Sequence, residues 1–328
     1  MRYSVVLALS LLFFAGCVRN EKHPVNFYYW KTDVSPGNTE TDYFNKLGCR
    51  KLYLRFFDVD IENGRVIPKA GIIPFDAGTF QAEFIPVVFI TNRTFERMTP
   101  DDLKRLAENF NQFIKEIKDK NNIPDTNEIQ LDCDWTESTR SNYFFFISEL
   151  KKITGKEISC TVRLHQIKYK EKTGIPPVSK AYLMCYATSN PAEFTGKNSI
   201  LDISLLKDYT RNIETYPLTF DIALPLYSWA VVMNHLGKIK LINGITREDL
   251  PASCFKQINE TDYEVENDFF FRGIYLNKGF IVRIEQITPD LLQKAKKYLN
   301  DKIRKPYGIV YYHLDKSFLE RFTISDLE

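Results

Sequence analysis

The chain has 328 residues, and its 44 Lys and Arg against 42 Asp and Glu leave a formal charge of +2. With no basic run, that balance implies neither nucleic acid nor an anionic surface as a partner. The length suits one β/α barrel of roughly 250 residues plus an insertion, or two ordinary domains.

In chain order, the first element concerns address. Arg2 precedes an apolar run from Val5 to Phe14 that ends in Ala15-Gly16-Cys17, the pattern of a secretory signal with small residues before the cut. The run is too short to span a bilayer as a mature helix. Ala-Gly-Cys resembles the bacterial lipoprotein cleavage site, in which the Cys becomes the lipidated N-terminus; an ordinary secretory signal or an uncleaved anchor is the alternative. Residues 1–17 are thus expected to be a leader ending at a lipidated Cys17, and 18–25 a polar tether. That places the protein in the bacterial cell envelope, held to a membrane by a lipid anchor without spanning it.

A single domain is expected over 26–328. Strand-like runs, rich in β-branched and aromatic residues, lie at 26–32, 51–58, 84–91, 128–134, 157–164, 181–186, 220–226 and 308–314. Most are continuously apolar, as parallel strands covered on both sides must be. Between them run helical patterns. Thr99-Pro100-Asp101-Asp102 supplies a cap, a first-turn Pro and acidic residues, and Leu103, Leu106, Phe110, Phe113 and Ile117 follow at helical spacing. Tyr143, Phe146, Ile147 and Leu150 form a second apolar stripe, and Leu291, Leu292, Ala295 and Leu299 a third. The alternation predicts an α/β fold, a closed (β/α)8 TIM-type barrel. The long gap before the last strand predicts a β-rich insertion between strands 7 and 8, at about 233–287. Within it, runs at 269–275 and 280–287 flank Leu276-Asn277-Lys278-Gly279, the signal of a hairpin.

The fourth run carries the densest chemistry. Asp132 and Asp134 alternate on Glu128-Ile-Gln-Leu-Asp132-Cys-Asp134-Trp135-Thr136-Glu137, so both point to one face at the strand's C-terminal end, where barrel chemistry sits. Two such residues can equally cap the next helix or edge a loop. Of the cysteines beyond Cys17, those at 133, 160 and 185 lie inside apolar strands and read as small hydrophobes. The five are an odd number, with no C-x-x-C pair and no His at ligand spacing, which argues against a metal, and no cofactor is implied.

Asp132-Cys-Asp134-Trp135 resembles the Asp-x-Asp-x-Glu core of chitinase-like family 18 glycoside hydrolases, whose fourth barrel strand it closes. Phe57-Asp58-Val59-Asp60 with Asn63-Gly64 is similar to the family's second strand, Leu183-Met184-Cys185-Tyr186 to its sixth, and Leu224-Pro225-Leu226-Tyr227 to its seventh. The resemblance implies a glycoside-cleaving ancestry in which a Glu two residues past the last Asp protonates the glycosidic oxygen. Here that position is Thr136, a poor proton donor near neutral pH, and Ala187 stands where the family has an Asp after Tyr186.

Two catalytic routes remain open. Glycoside hydrolysis needs two carboxylates about the scissile bond, and Asp134 with Glu137, Asp58 or Asp315 can form such a pair, Asp132 raising the proton affinity of its neighbour. Glu137 reaches the cleft only if the backbone bulges or turns there. The other reading is a glycan-binding barrel that kept the cleft and lost the acid. Trp30, Trp135, Tyr186, Tyr227 and Trp229, at or near strand ends, offer flat faces to sugar rings. Arg163 and His165, two apart on the fifth run, offer hydrogen bonds. Each has a plainer role open to it: rim packing for the aromatics, neutralisation of Asp132 or Asp134 for Arg163, a structural histidine for His165. A poly- or oligosaccharide is the expected partner, with hydrolysis absent or altered; an active hydrolase and a ligand-free structural lipoprotein are the alternatives.

Overall fold

The computed structural model describes residues 23–75, 77–193 and 196–328. The leader, the Cys17 lipidation site and tether residues 18–22 lie outside them.

All eight predicted runs become strands of one parallel sheet: Val25–Tyr29, Lys51–Glu62, Glu83–Ile90, Glu128–Cys133, Glu157–Arg163, Lys180–Met184, Thr219–Pro225 and Ile309–Tyr312. The first strand pairs with both the second, Phe27 opposite Leu52, and the eighth, Phe27 opposite Tyr311, so the sheet closes on itself. The fold is a (β/α)8 barrel with a β-rich insertion between the seventh and eighth strands. Its lower interior is filled, as barrels of this size require. The Tyr28 hydroxyl donates to Gln130 Oε1 (2.8 Å), Tyr53 and Tyr182 share a hydrogen bond (2.7 Å), and Tyr182 donates to Glu128 (2.7 Å).

The covering helices follow the predicted stripes. Thr99 caps Pro100–Lys120 with a full capping box against Asp102, a device worth about 1 kcal/mol. Leu103, Leu106, Phe110 and Ile117 are buried, and Phe113 packs edge-on to Phe57 at 4.7 Å. Tyr143, Phe146, Ile147 and Leu150 are buried on the helix Arg140–Thr154. Among the described residues, no helix is long and apolar enough to cross a membrane.

The insertion is a five-stranded antiparallel sheet ordered Ile239–Asn243, Ser228–Met233, Ile281–Gln286, Asp262–Val265 and Phe255–Gln257. It has its own apolar core around Val232, Val265 and Ile284. The expected hairpin between 269–275 and 280–287 does not form. Phe269–Phe271 instead doubles back on Ile274–Leu276, because Arg272 (φ 47°) and Gly273 (φ 79°) make a two-residue turn in the left-handed region. The second run joins Ser228–Met233 and Asp262–Val265.

Candidate ligand-binding site at the C-terminal end of the barrel

The C-terminal ends of the strands surround a pocket of about 500 Å³. Trp30, Tyr186, Tyr227, Trp229 and Tyr312 supply most of its aromatic lining, with Phe89 and Phe318. The rings brace one another: Tyr312 lies 5.5 Å from Trp30, 5.6 Å from Tyr186 and 5.9 Å from Tyr227, and Tyr227 lies 5.3 Å from Trp229. Such mutual contacts hold flat faces in place without using them up.

Trp229 enters from the insertion. Its indole Nε1 donates to Glu285 Oε2 (2.8 Å), a carboxylate that also receives Arg283 Nε (2.7 Å) and the Ser199 backbone N–H (3.1 Å). Arg283 and Glu285 are each about 2 % exposed. One wall of the pocket therefore hangs on a buried ion pair that ties the insertion to the loop after the sixth strand.

Three polar atoms buried against this pocket have no hydrogen-bond partner in the protein: the Tyr186 hydroxyl, the Ser228 hydroxyl and His313 Nδ1. A buried donor or acceptor without a partner costs about 1–3 kcal/mol; these three atoms sit on pocket-lining residues but are themselves shielded from the cavity. Burial pushes His313 down to about 4, which keeps its ring neutral. Ala187 lines the same pocket with φ 54°, a conformation that strains any residue with a Cβ.

The charges are organised as pairs. Asp132 is buried, accepts from Thr161 Oγ1 (2.6 Å) and lies 3.9 Å from Arg163. Burial pushes its carboxyl above the ordinary range, Asp134 adds to the rise, and Arg163 and Thr161 only partly offset it. Asp134 is half exposed and grips Arg163 with both oxygens, one contact being Nη2 to Oδ2 at 3.2 Å. Burial alone would lower the Arg163 guanidinium, but Asp132 and Asp134 outweigh it and hold it charged. Across the pocket Asp58 is held by Arg55, whose Nε donates to Oδ1 at 2.7 Å. Strand alternation alone would set residues three apart on opposite faces. A bulge between Arg55 and Phe57 slips the register by one and brings both into the pocket.

Several expected site residues are placed elsewhere. Trp135 is fully buried, stacks on Tyr143 at 5.2 Å and donates to the Thr173 carbonyl (2.9 Å), so it is core packing under a helix and no ligand platform. The strand ends at Cys133, and the chain turns outward through 137–139. Thr136 and Glu137 are both exposed and neither lines the pocket. His165 is exposed on the helix Leu164–Lys168 and does not accompany Arg163. The strand stops at Arg163 because Gln166 folds back, accepting from the Arg163 N–H (2.8 Å) and donating to the Trp135 carbonyl (3.0 Å). Asp315 serves Lys31 (2.7 Å) and caps the helix that follows it. Trp30, Arg163, Tyr186, Tyr227 and Trp229 do come together with Asp132 in one pocket, with Asp134 reaching it through Arg163.

Arg55, Tyr312 and His313 were missed. Tyr312 closes the eighth strand and His313 follows it directly, so the strand-end rule applied to the fourth run finds them. Arg55 depends on the bulge, which nothing in the local sequence announces. No group of His, Cys, Asp and Glu suited to a metal occurs among the described residues.

No protein-family model and no curated protein matches this sequence. Solved structures do match in shape. A chitinase from Chromobacterium violaceum ATCC 12472 superposes with a TM-score of 0.58 at 14% identity, over 93% of this chain and 98% of that one. The spore cortex-lytic enzyme SleL of Bacillus cereus gives 0.54 at 13%, over 92% and 76%. The GH18 chitinase ChiB from the chitin utilization locus of Flavobacterium johnsoniae gives 0.50 at 12%, over 93% of both. At such identities the likeness concerns architecture, and what it establishes is that this chain has the chitinase-type (β/α)8 barrel fold.

Proposed function

We propose that this protein is a glycan-binding barrel of the bacterial envelope, anchored through a lipidated Cys17, in which the hydrolytic step is absent or altered. The observation that carries this reading is the pocket itself. Seven aromatic residues, Trp30, Phe89, Tyr186, Tyr227, Trp229, Tyr312 and Phe318, line one cavity together with Arg55, Asp58, Asp132 and Arg163, while the residue at the acid position, Thr136, lies outside it. Flat rings suit the apolar faces of a sugar, and the charged side chains of the lining suit its hydroxyls. The chitinases that share the fold make amino-sugar oligomers the first ligands to try.

A second reading, a hydrolase, rests on Asp132. Its proton is held more tightly than usual, the property a general acid needs. Asp134, expected from the sequence to be that acid, is instead engaged with Arg163.

Calorimetric titration of the chain from residue 18 with chito-oligosaccharides and neutral glucans separates these readings. Binding without release of reducing ends, weakened about ten-fold by Tyr227→Ala through loss of a stacking face, is the expected result. Reducing ends released by the wild type and absent with Asp132→Asn would establish the hydrolase. No binding to any glycan would leave only a structural role. Mass spectrometry of the mature N-terminal peptide is expected to find Cys17 diacylglyceryl-modified.

A further inference from the structure

The N-terminal end of the barrel, opposite the ligand pocket, holds a second cavity of about 370 Å³. It lies between two segments that lead into neighbouring strands, 213–220 before the seventh and 302–305 before the eighth. Tyr216, Leu218 and Ile303 make its wall apolar, and the buried Tyr216 hydroxyl has no hydrogen-bond partner. Its rim is basic. Lys302, Arg304 and Lys305 stand against one lining carboxylate, Glu214, which Lys302 already engages at 3.4 Å, and against Asp301 just outside the lining. Lys170 reaches the same corner, donating to the Thr215 carbonyl (3.1 Å).

The described chain also begins at this end. His23 stacks on Tyr307 at 3.9 Å and bonds Asn300 Oδ1 (3.1 Å), while Val25, Ile309 and Ile222 lie level in adjacent strands. Six residue steps separate His23 from Cys17, a reach of at most about 20 Å.

We infer that this end of the barrel is a membrane-docking face, and that its basic rim and apolar cavity receive the headgroup and upper chain region of an anionic phospholipid. The inference rests on the lipid-anchor reading above for its orientation. Charge complementarity supplies the rest: basic side chains within a Debye length of an anionic leaflet each add about five-fold to partitioning. The near-neutral charge of the whole chain conceals this local excess.

The test is flotation of the chain from residue 18, which contains every described residue and lacks Cys17. Vesicles are equal parts phosphatidylglycerol and phosphatidylcholine, with pure phosphatidylcholine as the comparison. Binding to the anionic vesicles, lost at high salt and about twenty-fold weaker in Arg304→Gln/Lys305→Gln, is expected. Both side chains are exposed, so the variant should keep the wild-type Tm. No binding at low salt, or a variant that floats as the wild type does, overturns the inference. So does a variant that changes the oligomeric state without changing vesicle binding, since the face would then join two copies of this chain. Lipidation of Cys17 is read separately by mass spectrometry, so failure of the anchor and failure of the docking face are distinguishable.

Discussion

Asp132 and Thr136 occupy neighbouring turns of chain yet differ completely in surroundings, and this contrast sets what substitution can do. Because residue 136 is exposed and outside the pocket, Thr136→Glu is expected to leave chito-oligosaccharide turnover at background in a reducing-end assay. Asp132 behaves oppositely. Its folded carboxyl holds a proton more tightly than the unfolded chain does, so ionising it costs stability above its folded pKa. That cost disappears below the ordinary carboxylate value of about 3.9. Asp132→Asn keeps an oxygen to accept from Thr161, and its Tm should exceed the wild type's at neutral pH and converge with it in acid. An unchanged difference across the pH range would show that burial of this carboxyl is compensated by Arg163. Much of this is legible in the sequence: alternation puts Asp132 on the inner face, and Arg163 is among its possible neutralisers. What failed was the extension of strand geometry past its last residue. Trp135, Glu137 and His165 each lie beyond a strand end, where a period of two no longer governs.

At the level of elements, continuous apolar runs located all eight strands, because a parallel strand buried on both faces has no other way to be written. The helices were equally readable from Thr99 and the stripes that follow. Two features were not: the bulge at Arg55–Phe57, which is a relation between strands, and the partners of Ile281–Gln286, which are distant in sequence. Both are decided by pairing energy that no local window contains. The insertion's attachment is open to measurement. Glu285→Ala removes the counter-charge of a buried guanidinium and the acceptor of the Trp229 indole. A loss of about 3 kcal/mol in urea unfolding is expected, with a shift in tryptophan emission. A loss below about 1 kcal/mol would mean the insertion is held chiefly by its apolar core.

Over the whole molecule, the distribution of thiols gives an independent check on the packing. Cys49, Cys133, Cys160 and Cys185 are buried, and burial pushes their thiols up, Cys49 to about 12. Cys254, in the insertion, is only half-buried. Ellman's reagent at mildly alkaline pH should therefore report Cys254 alone in the native chain from residue 18, and all five after unfolding. A fast thiol at Cys133 or Cys160 would place a barrel strand in solvent. The two ends of the barrel differ as sharply as its inside and outside do, aromatic and charge-paired at one, apolar with a basic rim at the other. Trp229 brings a last consequence. Because its ring is aimed by Glu285 and the strand Ser228–Met233, and not by any of the eight barrel strands, the lining of the pocket is partly portable. Exchanging the segment between Leu226 and Ile287 for that of another barrel would swap a wall of the pocket as a cassette while the eight strands stayed intact.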